Sequence, residues 1–354
     1  MIKSSYKVIG VMSGTSIDGI DLALIQFDFS SNYTFKILKC ETVTYNSFWI
    51  NALKNLVSLP LSNLKELDKD YTVYLSEVIN AFIVKHNINA IDAICSHGHT
   101  ALHQPENKLT YQIGNLPKLS GLLNQTIVCD FRTQDVEFGG QGAPLVPIGD
   151  QLLFSDYDYC LNLGGFANIS TEIKNQRIAY DICPVNIVLN HYVRLIGYNY
   201  DDKGKIASTG MLNIELLDAL NLLDFYQQSY PKSLGLEWVN KNVIPLVDSY
   251  KLEIKDILIT FVEHIAIQIV NEINIKENAS VLITGGGVYN SFLIERIQTK
   301  TKNKICIPSQ DLIEYKEALI FGLLGVLKLR NETNCLSSVT GALKNHSSGN
   351  IYYP

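Results

Sequence analysis

A ten-residue run near the start, Met12-Ser13-Gly14-Thr15-Ser16-Ile17-Asp18-Gly19-Ile20-Asp21, combines two glycines, three hydroxyls and two carboxylates. Glycine permits φ > 0 and close approach of a ligand, and successive turn amides can form a concavity that holds an anion. The chemistry is that of a phosphate grip, with Asp18 placed to orient Mg²⁺ directly or through water. An ordinary Gly/Asp hairpin turn is the competing reading. This turn, however, is longer and richer in hydroxyls than a strand connection needs.

A second run of the same kind, Leu161-Asn162-Leu163-Gly164-Gly165-Phe166-Ala167-Asn168-Ile169-Ser170, adds amide donors at Asn162 and Asn168. A third, Ile283-Thr284-Gly285-Gly286-Gly287-Val288-Tyr289-Asn290, follows an apolar run and precedes a helical one, where a nucleotide can lie against backbone. It is not G-x-G-x-x-G, and no G-x-x-x-x-G-K-[ST] motif occurs. Asp181, in Ala179-Tyr180-Asp181-Ile182-Cys183-Pro184-Val185-Asn186, ends an expected strand and is a candidate general base. It is equally a candidate helix N-cap, with Pro184 near the first helical position. His97, His99 and His103 lack a carboxylate or cysteine at familiar metal spacing, so ligand hydrogen bonding is the better reading. Arg132 offers a bidentate fork for a carboxylate, and Gly139-Gly140-Gln141-Gly142-Ala143-Pro144 is either a substrate loop or a flexible connection. His264 sits on an apolar stripe and reads as core.

The elements that must position these residues follow one plan twice. Tyr6–Met12, Ile20–Phe29 and Thr34–Tyr45 read as strands joined by the turns at 13–19 and 30–32, hence as antiparallel hairpins. Helical periodicity follows over Ser47–Val57 and Ser62–Lys85, then short strands at Ile91–Ser96 and Thr126–Asp130, with the histidine run in a loop. The order restarts with strands Tyr157–Leu163, Ala167–Ile173 and Arg177–Asp181, and helices near Val185–Ile196, Asn213–Gln227 and Ile254–Ile273. Strand Ser280–Thr284, helix Asn290–Lys300, strand Lys304–Ile307 and helix Tyr315–Leu329 close the body, and 331–354 reads as loop. This is the order of the actin-like, sugar-kinase and heat-shock-ATPase fold. The expected class is α/β, with two ribonuclease-H-like domains flanking a nucleotide cleft. The expected domains are 1–130, on the sugar and phosphate-loop side, and 131–354, on the nucleotide side, with the last residues packing back on the first domain.

Composition agrees with a folded two-domain chain. Of 354 residues 47% are hydrophobic and 18% charged, which excludes a mainly disordered polymer. A net charge of −6 with no Lys/Arg run disfavours nucleic acid as partner. The first residues carry no apolar stretch of signal-peptide length, and charges interrupt the apolar helices before membrane-spanning length. Seven scattered cysteines, none in C-x-x-C, fit a reduced cytoplasmic protein away from the membrane.

Taken together, the chain resembles the anhydro-N-acetylmuramic acid kinase family from Gly10 to about Ala342. The resemblance rests on GVMSGTSIDGIDLAL, SHGHTALHQP, TYQIGN, DFRTQDVEFGGQGAPLVP, LNLGGFANIS, ITGGGVYN, EALIFGLLG and SVTGA, in that order. It implies an enzyme of peptidoglycan recycling that uses ATP, Mg²⁺ and water to open the 1,6-anhydro ring of anhydro-N-acetylmuramic acid and phosphorylate O6. The products are N-acetylmuramic acid 6-phosphate and ADP. By the same resemblance Gly14, Thr15, Ser16, Ile17, Asp18, Gly19, Ile20 and Asp21 hold ATP phosphates, together with Gly164, Gly165 and, through its amide, Asn168. Gly285, Gly286, Gly287 and Asn290 lie near the nucleoside. Arg132, Gln141, Gly142, Pro144, Glu317, His99 and Thr100 lie toward the sugar, Asp181 is the base, and a homodimer is implied.

One segment departs. The family's Asp-Thr-Gly-Pro-Gly-Asn stands here as Asp181-Ile182-Cys183-Pro184-Val185-Asn186, losing a hydroxyl and two glycines beside the base. The rival readings are a kinase of the same fold for another sugar or a carboxylate, and a non-catalytic nucleotide-binding protein.

Overall fold

The structure, a computed structural model, describes residues 2–30 and 32–354. Ser31, in the second expected turn, lies outside them. The strands along the described residues are β1 (Ser5–Ser13), β2 (Gly19–Asp28), β3 (Thr34–Thr44), β4 (Ala93–Gln104), β5 (Leu109–Ile113), β6 (Ile127–Cys129), β7 (Tyr159–Leu163), β8 (Phe166–Ile173), β9 (Gln176–Pro184), β10 (Ser280–Thr284), β11 (Lys304–Cys306) and β12 (Asn350–Tyr352).

They form two sheets. One runs β12-β6-β4-β1-β2-β3, with β5 also paired to β4; the other runs β11-β10-β7-β8-β9. In each, three consecutive strands pair antiparallel and later strands add parallel to the first of the three. This is the duplicated ribonuclease-H-like plan. β1 is buried on both faces, as its unbroken Val8–Met12 run requires, whereas β3 alternates in exposure and forms the sheet edge.

The crossover helix Leu61–Lys85 places Leu64, Tyr71, Leu75, Ile79 and Phe82 in one core with Ile9, Val11, Ile20 and Leu22. In the second sheet Phe261, Ile265 and Ile269 of helix Ile254–Ile273 share a core with Leu161, Ile169 and Ile283. Each fully buried side chain of this size contributes about 1.5–3 kcal/mol.

The chain divides into two compact units, Met1–Leu153 with Tyr315–Pro354, and Phe154–Glu314. The boundary therefore differs from the expected 130/131. After β6 the chain runs into helices Thr133–Glu137 and Pro147–Leu153, whose buried Asp135, Val136, Ile148 and Asp150 belong to the first unit. Asp150 pairs with buried Lys316 at 2.7 Å. Helix Gln310–Leu329 departs from helical geometry at Tyr315, where the chain re-enters the first unit.

Two loop assignments are corrected. The histidine run lies inside β4, held by β1 and β5. Residues 331–354 contain helix Ser337–Thr340, a bridge between Cys335 and His346, and β12, which pairs with β6.

Candidate active site

In the second unit Thr284, Asn162, Asn168 and Asp181 are direct cross-strand partners on β10, β7, β8 and β9. Side chains so paired share one face of a sheet, so a polar row crosses it, half-buried at Asn162, Asn168 and Asp181. Next to it β9 carries an extra residue, Ile182, between the pairs Asn168–Asp181 and Ala167–Cys183. Such a bulge re-aims the side chains beside it. The Asp181 carboxylate accepts from Leu234 N–H at 2.8 Å and Ser233 Oγ at 3.2 Å. Burial lifts it above the ordinary aspartate range, and those two hydrogen bonds oppose the lift.

Asp181 is not a helix cap. Helix Asn186–Arg194 starts five residues later, with Val185 at its N-cap and no side-chain cap. The departures from the family pattern have a packing account, because Ile182, Cys183 and Val185 are at most 1% exposed and belong to the core.

The Gly164-Gly165 turn is tied to that helix. Gly165 O accepts from Val185 N–H at 2.8 Å and Ile187 N–H at 3.2 Å, and Gly164 O accepts from Asn186 Nδ2 at 2.8 Å. Gly285 has φ 86°, and a Cβ there would sit 2.6 Å from Asn162 Oδ1 and 2.8 Å from Leu163 O. Only glycine fits, and the third glycine turn is thereby held against the polar row. Gly286 faces open space, whereas Gly287 packs on Leu163. Asn290 Oδ1 caps helix Ser291–Gln298 by accepting from Leu293 N–H at 3.0 Å.

In the first unit the turn between β1 and β2 spans residues 14–18, with Thr15, Ser16 and Asp18 exposed and Ile17 at φ 60°. The last three residues of the 14–21 run begin β2, which starts one residue earlier than expected. Gly19 packs against Val43 O, Ile20 is fully buried in the core, and the Asp21 carboxylate accepts from Thr42 Oγ1 at 2.6 Å.

The sugar-side candidates gather around a second bulge. β4 gains a residue between the pairs Val11–Ser96 and Ser13–His99, with Gly98 at φ 72°. His97 and His99 thereby reach different partners. His99 Nδ1 lies 2.7 Å from Ser13 Oγ, which also meets Tyr45 Oη at 2.6 Å and Tyr71 Oη at 3.1 Å. Burial lowers His99 to about 4, so it is neutral near pH 7. His97 Nε2 accepts from Arg132 Nε at 2.9 Å, and its Nδ1–H donates to Gly98 O at 2.9 Å. Burial first, then Arg132, lowers His97 well below its usual value, as this neutral tautomer requires. His103 Nδ1 lies 3.1 Å from Thr110 Oγ1, so the three histidines have three separate partners.

Arg132 Nη1 donates to Gly142 O at 2.6 Å. With Nε on His97, the fork keeps both Nη2 hydrogens and one on Nη1. Burial lowers the guanidinium to about 10, still charged at neutral pH, with Glu317 the largest opposing charge. Glu317 is raised by burial, against Arg132 and Lys316. Gln141 and Pro144 are exposed on the same loop, with Gln141 N–H on Thr340 O at 2.8 Å. Gly142 N–H donates to buried Asp135 Oδ2 at 2.7 Å.

Several contributors were not singled out from sequence. Tyr45 and Tyr71 join Ser13, one of the three hydroxyls of the first run, beside His99, and Asp135 organises the glycine loop. Gln112, paired with half-buried Thr100 across β4 and β5, has a buried Oε1 without a hydrogen-bond partner among the described residues, as does Asn115 Oδ1. The one signal for them was the Tyr-Gln-Ile-Gly-Asn run. Buried acceptors of this kind invite a donor from a ligand.

Among the described residues, no helix is long and apolar enough to cross a membrane. In comparison with known proteins, residues 6–354 match the family described as Anhydro-N-acetylmuramic acid kinase. A relative of that name from Sulfurimonas denitrificans is 32% identical, covering 97% of this chain and 98% of its own. Another, from Pasteurella multocida, is 34% identical, covering 99% and 98%. A ROK family glucokinase from Streptomyces griseus, solved with glucose and AMPPNP, superposes at a TM-score of 0.41 with 12% identity, covering 90% and 99%. The chain belongs to the anhydro-N-acetylmuramic acid kinase family, kinases that phosphorylate a sugar hydroxyl.

Proposed function

We propose that this protein opens the 1,6-anhydro ring of 1,6-anhydro-N-acetylmuramic acid with water and phosphorylates O6 from ATP, giving N-acetylmuramic acid 6-phosphate and ADP in cytoplasmic peptidoglycan recycling. The observation that carries the reading is Asp181 on its polar row, a carboxyl lifted by burial toward the range useful to a general base. Asp181 takes a proton from water as the water oxygen bonds to C1. The C1–O6 bond breaks with its electron pair on O6, and O6 takes the γ-phosphoryl group as ADP leaves. Phosphoryl transfer needs mainly positioning and charge neutralisation.

The exposed hydroxyls of Thr15 and Ser16 and the amides of residues 14–18 suit the phosphates, as do Gly164, Gly165 and Asn168. Gly285–Gly287 and the Asn290 amide suit the nucleoside. Asp18 is an exposed hard-oxygen donor beside those hydroxyls, which fits Mg²⁺ bound through one carboxylate, waters and phosphates. When bound, the cation neutralises phosphate charge. The three free Arg132 hydrogens suit the lactyl carboxylate, while Gln112 Oε1 and Asn115 Oδ1 suit sugar O–H or N–H donors. Glu317, His99, Thr100, Gln141 and Pro144 complete the sugar side.

The test is ADP release together with product mass. Turnover on the anhydro-sugar should yield a product heavier by one water and one phosphoryl group. Equal turnover on ring-opened N-acetylmuramic acid, glucose or acetate would sink the assignment.

A further inference from the structure

Away from the reacting groups, Asp135, Cys335 and His346 bring a carboxylate oxygen, a sulfur and an imidazole nitrogen within 4.8 Å of one another. All three residues are buried, and among the described residues they form the one cluster of this kind. The chain brings them together across some 200 positions, through the bridge between Cys335 and His346 and the helix Thr133–Glu137.

His346 makes this more than a hydrogen-bonded core. Its Nδ1 lies 3.0 Å from Lys344 O, a carbonyl that can only accept. Nδ1 therefore carries a proton, which makes Nε2 the ring nitrogen able to act as a metal ligand. That atom is buried, has no hydrogen-bond partner among the described residues, and points at another acceptor, Asp135 Oδ1, 3.6 Å away. Two acceptors facing each other out of water are unfavourable unless something positive lies between them. Metal-bound histidines typically donate their other ring N–H to a carbonyl in this way. The same Oδ1 accepts from Cys335 Sγ at 2.9 Å and from Thr340 Oγ1 at 2.8 Å.

We propose that Asp135 Oδ1, Cys335 Sγ and His346 Nε2 bind one zinc-class divalent cation, with water as fourth ligand, distinct from the Mg²⁺ of the kinase reaction. A mixed S, N and O donor set selects a borderline-soft ion such as Zn²⁺, whereas Mg²⁺ prefers oxygen alone. Binding releases the Cys335 thiol proton to solvent, and Thr340 continues to donate to Oδ1. The role is structural. Asp135 Oδ2 holds Gly142 N–H, and Gly142 O holds Arg132, so the cation braces the substrate loop against the C-terminal segment.

The experiment uses the whole chain, stripped by chelator and free of nucleotide, titrated with Co²⁺ and then Zn²⁺. The expected result is one Co²⁺ per chain with a sulfur-to-cobalt charge-transfer band, lost on Zn²⁺ addition and insensitive to millimolar Mg²⁺. Cys335→Ser should abolish the band, and His346→Gln should weaken binding at least tenfold. Wild-type protein showing no charge-transfer band overturns the proposal whatever the variants do. A band that survives Cys335→Ser overturns it as well, assigning the metal to another of the seven cysteines.

Discussion

The two units repeat one strand order but place their acids differently. In the first, the row near the hairpin end is Met12, Asp21 and Thr42 on β1, β2 and β3, and Asp21 accepts a neighbouring hydroxyl within the same sheet. In the second, the matching row is Asn162, Asn168 and Asp181, with the acid on the third strand beside a bulge and held by the backbone of residue 234. The turns differ in the same sense. Residues 14–18 form a long exposed turn carrying its own hydroxyls, whereas Gly164-Gly165 is short and pinned by the helix after β9. A duplicated scaffold thus carries two different polar arrangements. One copy exposes loop hydroxyls and a carboxylate, and the other sets its acid on a sheet face, which is the division that the proposed function uses.

The sharpest way to break that contrast is to neutralise both acids. Asp181→Asn should leave the fold and ATP binding intact while kcat falls by about 10²–10⁴. Asp21→Asn should cost less than about tenfold in kcat, since its carboxylate is read here as a strand contact. Equal losses, measured on the same preparations by product assay and calorimetry, would erase the distinction.

Arg132→Lys comes next. Lysine keeps the charge but cannot hold His97, Gly142 and a carboxylate together. KM for the sugar should rise by about 10–100-fold, with KM for ATP within about twofold, as losing a charge-assisted bidentate contact of about 1.5–3 kcal/mol requires. A parallel rise in both constants would move Arg132 off the sugar.

The glycines test the turns. Gly285→Ala places a Cβ against Asn162 and Leu163 at φ 86°, and should cost about 1–3 kcal/mol of stability with weakened ATP binding. Gly14→Ala meets only Ser16 Oγ, at 3.6 Å, and should change stability by less than about 0.5 kcal/mol. Thermal unfolding of both variants, with and without ATP, makes the comparison.

The smallest effect is on pH dependence. A general base acts when ionised, and Asp181 is shifted upward, so activity should fall as pH drops through a value above the ordinary aspartate pKa of about 3.9. The acid limb of kcat/KM should lie there. A limb at the ordinary value would mean that Asp181 is as solvated as a surface acid.

Much of the fold was legible in the chain because its signals are local. The unbroken Val8–Met12 run, the helical spacing over 62–85 and the glycine pairs between strands each reflect sterics and burial within a few residues, and the order of elements follows from reading them in sequence. The glycine-rich turns between strands were legible for the same reason. What the chain alone misplaced were features set by distant partners. Gly19 looked like the last residue of the turn, but pairing with β3 draws it into the sheet. Asp181 could equally have been a cap, and the bulge at Ile182, which carries β9 past it, removes that reading.

The domain boundary belongs to the same group, since nothing local tells residues 131–153 that 315–354 will return to cover them. Residue types, turn chemistry and the order of elements were determined by the sequence itself. Which histidine meets Arg132, which carboxylate faces His346 and which backbone amide holds Asp181 were decided only by tertiary structure. Each depends on a close contact between segments tens to hundreds of residues apart, and hydrogen-bond geometry at 3 Å carries no signature in the spacing of residues along a chain.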